Sequence, residues 1–201
     1  MNVSERLAEN GWLHLKNIGS ISNMRSVLPH HHNVFSTKII RCQGIRNVEN
    51  SNSLVPPHTD IFWHIVPPHY LLLFCESPAP VGGESLLIGN VIRCVSPDIL
   101  AALETENITH HKDGKIFNYR IYSNEIFRVP HNYHGIEHTR PSRFLDAWLA
   151  LVDELKKNVH KIKLQAGDGL IVDNHTSLHG RLAFRNSTNQ TRVLHKMLLD
   201  D

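Results

Sequence analysis

Cysteine is scarce in this chain and never occurs as a CxxC pair. The three thiols, Cys42, Cys75 and Cys94, are odd in number and widely spaced, which argues against a disulfide framework. They read as reduced, mostly buried side chains of a cytoplasmic protein. Long apolar runs are also missing. The most hydrophobic stretch, residues 61–75, is interrupted by His64, Pro67, Pro68 and His69, so no membrane span is expected. The opening MNVSERLAENGW lacks the basic and apolar blocks of a secretory leader. Neither charge sign dominates: 21 Lys and Arg face 19 Asp and Glu, scattered rather than striped, and aromatics make up only 7%. A nucleic-acid groove needs basic tracks and stacking rings, so neither nucleic acid nor an anionic membrane is an expected partner. With no repeat, low-complexity tract or long Gly/Ser linker, residues 1–201 read as one domain.

What is present is an ordinary globular composition, 41% hydrophobic and 20% charged, together with sixteen histidines. Residues 3–10 read as a short helix ended by Gly11, and Trp12–Ile18 alternates as a half-buried strand. Further strands are expected at Ser36–Cys42, Tyr70–Cys75, Glu84–Ile88, in two segments within residues 115–129, and at His160–Leu164, Gly169–Val172 and Arg192–Leu199. A helix over Pro97–Thr105 has Ser96 as its cap and Pro97 at its first position. The clearest helix begins near Ser142, where Phe144, Leu145, Trp148, Leu151, Val152 and Leu155 form one apolar stripe. Many short strands with few helices point to a mostly β (α+β) fold, a double-stranded β-helix or jelly roll with a few packing helices.

The chemistry starts at Pro56-Pro57-His58-Thr59-Asp60. On a strand, residues two apart share a face, so His58 and Asp60 could reach one ion. A distant histidine would complete a 2-His-1-carboxylate face that leaves half of an octahedral ion's positions open. HxD alone is weak among sixteen histidines. The late segment Asp173-Asn174-His175-Thr176-Ser177-Leu178-His179-Gly180-Arg181 offers the partner. Thirteen residues beyond His179, Arg192 opens a strand-like run, and its guanidinium could hold a carboxylate near the metal.

In order, His58/Asp60, Gly82-Gly83-Glu84-Ser85, Asp173-Asn174…His179-Gly180-Arg181 and Arg192 resemble the motif set of the taurine dioxygenase and clavaminate synthase-like oxygenases. The likeness covers about residues 55–90 and 141–199, whereas residues 91–140 match nothing recognisable. It implies an Fe(II)- and 2-oxoglutarate-dependent dioxygenase that uses O2 to hydroxylate an unactivated C–H bond, releasing succinate and CO2. It further implies that His58, Asp60 and His179 ligate iron, while Arg192 and Ser85 hold the distal carboxylate of 2-oxoglutarate. Lys196 stands where taurine dioxygenase has a second, substrate-binding arginine. It keeps the charge but not the planar fork. Lys196 is therefore a candidate for contact with a small-molecule substrate, anionic or tethered to a carrier protein; Arg181 is a second candidate, with stabilisation of the His179 loop as its favoured role. Desaturation or ring closure at the same site, and a metal-binding jelly roll indifferent to 2-oxoglutarate, are the competing readings.

Several histidines are read as decoys. His175 is the less favoured ligand because the resemblance places the metal histidine directly before glycine. His64 and His69 are taken as structural, and His131, His134 and His138 as a loop without zinc-site support. His30–His32 and His110-His111 read as solvated turns, Trp148 as core, and Asn118 and Arg120 as an exposed strand face.

Overall fold

The computed structural model describes residues 2–28, 32–41, 51–131, 142–186 and 191–200. The chain opens with α1 (Val3–Asn10), β1 (Trp12–Leu15), α2 (Ile21–Ser26), β2 (Asn33–Arg41) and β3 (Val55–His58). Next come β4 (Tyr70–Ser77), β5 (Val81–Gly82), β6 (Ser85–Ile88), α3 (Val91–Cys94) and α4 (Pro97–Leu103). The middle continues with β7 (Ile108–Lys112), β8 (Lys115–Tyr119), β9 (Tyr122–Ser123), β10 (Ile126–Phe127) and α5 (Ser142–Lys157). Finally there are β11 (His160–Ile162), β12 (Gly169–Asp173), β13 (Leu178–Arg181), β14 (Phe184–Arg185) and β15 (Val193–Asp200).

Two antiparallel sheets dominate, ordered β1-β12-β4-β15-β2 and β11-β6-β13-β3. Alternation along the first sheet splits its residues between two cores. Leu71, Leu73, Leu170, Val172, Leu194 and Leu198 share one cluster with Leu87 of the second sheet. Leu72, Ile171, Met197 and Leu199 face the other way, onto Leu7, Met24 and Leu28 from α1, α2 and the residues just after them. Beyond the second sheet, Ile88 and Leu178 join Leu103, Phe127, Phe144, Trp148 and Leu151 in a third cluster. β4 is apolar from Tyr70 to Cys75 because that part is central and covered on both faces. This is the jelly-roll arrangement expected from many short strands.

Local chemistry explains the helix ends. Asn2 and Glu5 form a reciprocal capping box on α1, and Gly11 ends it in the left-handed region at φ 72°. Ser96 accepts from the Ile99 N–H at the start of α4, with Pro97 in the first turn.

Some boundaries differ from the expectations. β1 stops at Leu15 because the chain turns at Asn17, whose φ is +51°. The second β-like segment of residues 115–129 is only the two-residue β10. The short α2 was not foreseen, since six mostly polar residues with one buried side chain, Met24, carry too little periodicity. His110 and His111 lie on β7, not in a turn, and His32 is buried, not solvated. Residues 29–31 and Cys42 lie outside the described residues, as do His134 and His138. No helix is long and apolar enough to cross a membrane among the described residues.

Candidate metal centre

β13 lies between β6 and β3, so His179 stands opposite Leu87 on one side and opposite His58 on the other. The approach of β3 to β13 requires glycine at position 180: a Cβ there would come within 2.5 Å of the Val55 carbonyl oxygen. The Gly82-Gly83 pair does similar work beside β14. Both have positive φ, 72° and 75°, and a Cβ on Gly82 would sit 2.5 Å from the Ala183 oxygen. That turn delivers Ser85 as the first residue of β6, paired with Arg181.

The His58-Thr59-Asp60 segment is not a continuous strand. β3 ends at His58, and the chain then turns, with Ile61 at φ +55°. Pleat alternation therefore does not bring His58 and Asp60 together. Anchoring on both sides does. The Thr59 hydroxyl donates to the Phe127 carbonyl and accepts from the Val129 N–H. The Asp60 N–H donates to Asn174 Oδ1 at 2.8 Å, while Asn174 Nδ2 donates to the Asp60 carbonyl at 3.1 Å and the Pro68 carbonyl at 2.8 Å. Asn174 is fully buried. Sequence reading saw it only as part of a turn and motif, and missed this clamp.

His58, Asp60 and His179 each place one donor atom within 4.8 Å of the others. His179 Nε2 is 3.3 Å from one Asp60 oxygen and His58 Nε2 is 3.8 Å from the other. Ligands about 2.1 Å from an ion on adjacent octahedral vertices lie about 3 Å apart, so the donors need only small shifts to share one. His58 Nδ1 lies 2.9 Å from the Pro56 carbonyl, the contact that orients Nε2 toward a metal. Burial lowers the His179 pKa to about 4 despite the pull of Asp60, leaving a neutral imidazole with a lone pair at pH 7. Burial alone raises the Asp60 carboxyl, but Lys196 and His179 beside it hold it well below its ordinary value. Two nitrogens and one carboxylate oxygen on one side fit a divalent transition metal such as ferrous iron.

Lys196 Nζ lies 2.8 Å from each Asp60 oxygen. Arg192, Leu194 and Lys196 alternate onto the inner face of β15 and its lead-in. There they line a cavity of about 70 Å³ with His58, His179 and Ser85. Arg192 is buried, its guanidinium 5.6 Å from the Phe184 ring centre. Its charge also reaches Cys75, whose thiol burial pushes up to about 11 against the opposing pull of Arg192. Arg181 uses its guanidinium differently, donating to the Ser51 and Ser53 carbonyls at 2.8 Å each. That ties down the chain before β3, while Arg181 also borders the cavity with Arg192 and Lys196.

A second cavity of about 620 Å³ shares His58, Val55 and Lys196 with the first. Phe62, Trp63, His110, His111, Lys112 and His131 line its wall. The His58 and His131 rings lie 5.5 Å apart. Sequence reading had discounted these histidines, and only a motif for the intervening segment could have pointed to them. His175 turns away from the centre: its Nε2 meets the Pro67 carbonyl at 2.7 Å and its ring stacks on His69. Asn118 pairs with Thr109 on the β7–β8 hairpin, and Trp148 is core.

No curated protein matches the chain. Among solved structures, the non-heme iron oxygenase OrfP in complex with Fe and alpha-ketoglutaric acid is similar with a TM-score of 0.70 and 17% identity, covering 90% of this chain and 63% of that one. OrfP with Fe, succinate and (3S)-hydroxy-L-Arg gives 0.67 at 15% identity, covering 82% and 59%. Asparagine oxygenase with Fe(II), 2S,3S-3-hydroxyasparagine and succinate gives 0.65 at 16% identity, covering 81% and 57%. The chain therefore spans less than two thirds of these structures, and at such identities the likeness is one of fold. The family model for taurine catabolism dioxygenase TauD, TfdA matches residues 17–117 and 108–198, including the middle segment in which the sequence offered no recognisable motif. On that match, which takes in both ends of the centre, the chain belongs to the TauD/TfdA family.

Proposed function

We propose that this chain is an iron(II)- and 2-oxoglutarate-dependent oxygenase that hydroxylates an unactivated C–H bond of a small molecule, an amino acid or biosynthetic intermediate, with release of succinate and CO2. The carrying observation is that His58 and His179, two of the three clustered donors, line one cavity with the buried Arg192 and Ser85.

Ferrous iron with 2-oxoglutarate and O2 supplies the oxidising chemistry when bound. His58 and His179 offer imidazole nitrogens and Asp60 a carboxylate oxygen, leaving the opposite side for small molecules. Arg192 suits the distal carboxylate of 2-oxoglutarate, which its planar fork can grip through two charge-assisted hydrogen bonds. The Ser85 hydroxyl donates to the same carboxylate. Ile40, Leu73 and Leu194 close the remaining wall with apolar surface and limit water there. Lys196, at the junction of the two cavities, is assigned to an anionic group of the substrate. The hydroxylated amino acids carried by the asparagine oxygenase and OrfP structures support an amino-acid-like substrate by analogy of fold.

The test is anaerobic reconstitution with Fe(II), followed by measurement of 2-oxoglutarate binding and of succinate formed on admitting oxygen. Succinate that depends on both metal and co-substrate, and disappears in D60A, is the expected result. A reconstituted protein that does not bind 2-oxoglutarate would overturn the proposal.

A further inference from the structure

Trp63 stands three residues beyond Asp60, is half-buried, and borders the larger cavity together with His58 and Asp60. It rests on the β7–β8 hairpin. Burial alternates along β7, so Ile108, His110 and Lys112 share the hairpin's inner face, while Thr109 and His111 are exposed. The segment Phe62–His64 lies across that inner face. Phe62 meets His110 and Tyr119 edge-on, with ring centres 5.0 and 5.4 Å apart, and His64 stacks on Phe117 at 6.5 Å. Between these contacts the Trp63 indole stacks on His110, 5.6 Å away and 24° from parallel. The Lys112 ammonium lies 3.4 Å from the centre of the same indole.

His110 and Lys112 are two residues apart on one strand, so both approach the indole from the hairpin side. The Phe62 and His64 rings meet Trp63 edge-on, and among the described residues no other ring stacks on it. One face of the indole is therefore covered, and the other looks away from the hairpin, where the ring borders the cavity of about 620 Å³. A cleft of that size holds an ordinary small molecule. The wall continues toward the metal through rings: Phe62 to His131 at 6.0 Å, and His131 to His58 at 5.5 Å.

The charge on the covered face sets what the open face prefers. An ammonium draws π density toward itself, so the opposite side of the indole suits an electron-rich planar partner better than a second cation. Burial, with Lys112 and His111 adding to it, lowers the His110 pKa, so that ring is neutral at pH 7 and stacks without bringing a further charge.

We infer that the substrate carries an electron-rich aromatic ring, a phenol or an indole, that lies on the cavity face of Trp63. That such a ring stacks there follows from the wall alone; that its owner is the substrate rests on the oxygenase reading.

The experiment titrates L-tyrosine, the non-planar L-cyclohexylalanine and L-arginine into the anaerobic protein carrying Fe(II) and 2-oxoglutarate. Binding is read by calorimetry and by the change in the visible charge-transfer absorption. L-Tyrosine is expected to bind about three- to tenfold more tightly than L-cyclohexylalanine, the size of one ring–ring contact beyond its buried area, and more tightly than L-arginine. W63L should erase that preference, and W63F should keep most of it. The 2-oxoglutarate affinity of the same samples shows that each variant is folded. L-Cyclohexylalanine or L-arginine binding as tightly as L-tyrosine, no binding of L-tyrosine, or an undiminished preference in W63L would each overturn the inference. Absence of 2-oxoglutarate binding to the wild type would sink the oxygenase reading instead. In that case phenol and cyclohexanol, titrated into the metal-free chain and followed by NMR, test the wall by itself. Tighter binding of phenol that is lost in W63L supports the stacking face, and equal or absent binding sinks it as well.

Discussion

Asn174 holds the backbone of Asp60 through both its amide and its carbonyl, across 114 residues of sequence. The metal-facing carboxylate is therefore positioned by a buried side-chain amide, not by a regular strand. Replacing Asn174 with alanine strands the Asp60 N–H and two carbonyls inside the protein. A loss of about 3 kcal/mol is expected, since each buried polar group left without its partner costs about 1–3 kcal/mol. Urea denaturation gives the stability, and Mn(II) titration should show weakened metal binding. Undiminished Mn(II) affinity in N174A would mean that the clamp does not position the ligand.

Gly180 is expected to tolerate nothing larger. A methyl group placed 2.5 Å from the Val55 oxygen forces β3 away from β13 and separates His58 from His179. G180A should cost about 1–3 kcal/mol, the usual range for overpacking. Metal affinity should fall by more than that loss explains. Equal metal affinity in G180A and wild type would count against the close approach as the device that sets ligand spacing.

Arg192 and Ser85 should separate by magnitude. R192A removes a bidentate charged contact and should raise the Kd for 2-oxoglutarate about a hundredfold, with R192K only partly restoring it. S85A removes one hydroxyl and should cost about tenfold. Calorimetry on the Fe(II)-loaded protein decides, and R192A with unchanged affinity would remove Arg192 from the co-substrate site.

Stability should decline on mild acidification. Burial holds the His179 pKa at about 4 in the folded chain, against about 6.5 when unfolded. The unfolded chain therefore takes up a proton that the folded chain refuses between these values. Stability is full above about pH 6.5 and falls as pH drops toward 4, by at most about 3 kcal/mol. Asp60, held well below its ordinary value, adds a further loss below about pH 4. Denaturation curves at several pH values should show a steeper dependence in wild type than in H179Q. Matching slopes would assign the proton to another group.

Lys196 should matter most when no metal is present. Removing one partner of a buried ion pair costs about 3–5 kcal/mol, so metal-free K196M should melt well below wild type. Mn(II) should raise the melting temperature of K196M more than that of wild type, because the ion restores positive charge beside Asp60. An equal or smaller rise would show that the pairing does not bear on metal binding.

The fold class and the ligand set were legible because they depend on patterns that survive in one dimension. The short continuous apolar run Tyr70–Cys75 and the strand-like Arg192–Leu199, with the spacing from His179-Gly180 to Arg192, are enough to place strands and ligands. Partners were harder to read. Period two says that Lys196 faces inward, but nothing local says that it meets Asp60, 136 residues earlier. The turn after His58 escaped notice because Thr59 and Asp60 are anchored by Phe127, Val129 and Asn174, contacts made only on folding. His110 and His111 looked like a polar turn, since a short hairpin strand carrying His and Lys has little hydrophobic contrast.

β15 supplies Arg192 at its lead-in and Lys196 within it, and it sits between β4 and β2, strands formed from the first half of the sequence. His58 and His179 are brought together in the other sheet, by the pairing of β13 with β3. The two sheets thus divide the work: one spaces the imidazoles, and the other carries the cations that face them. Losing β15 would therefore strip the centre of its positive charge while leaving the imidazole pair in register.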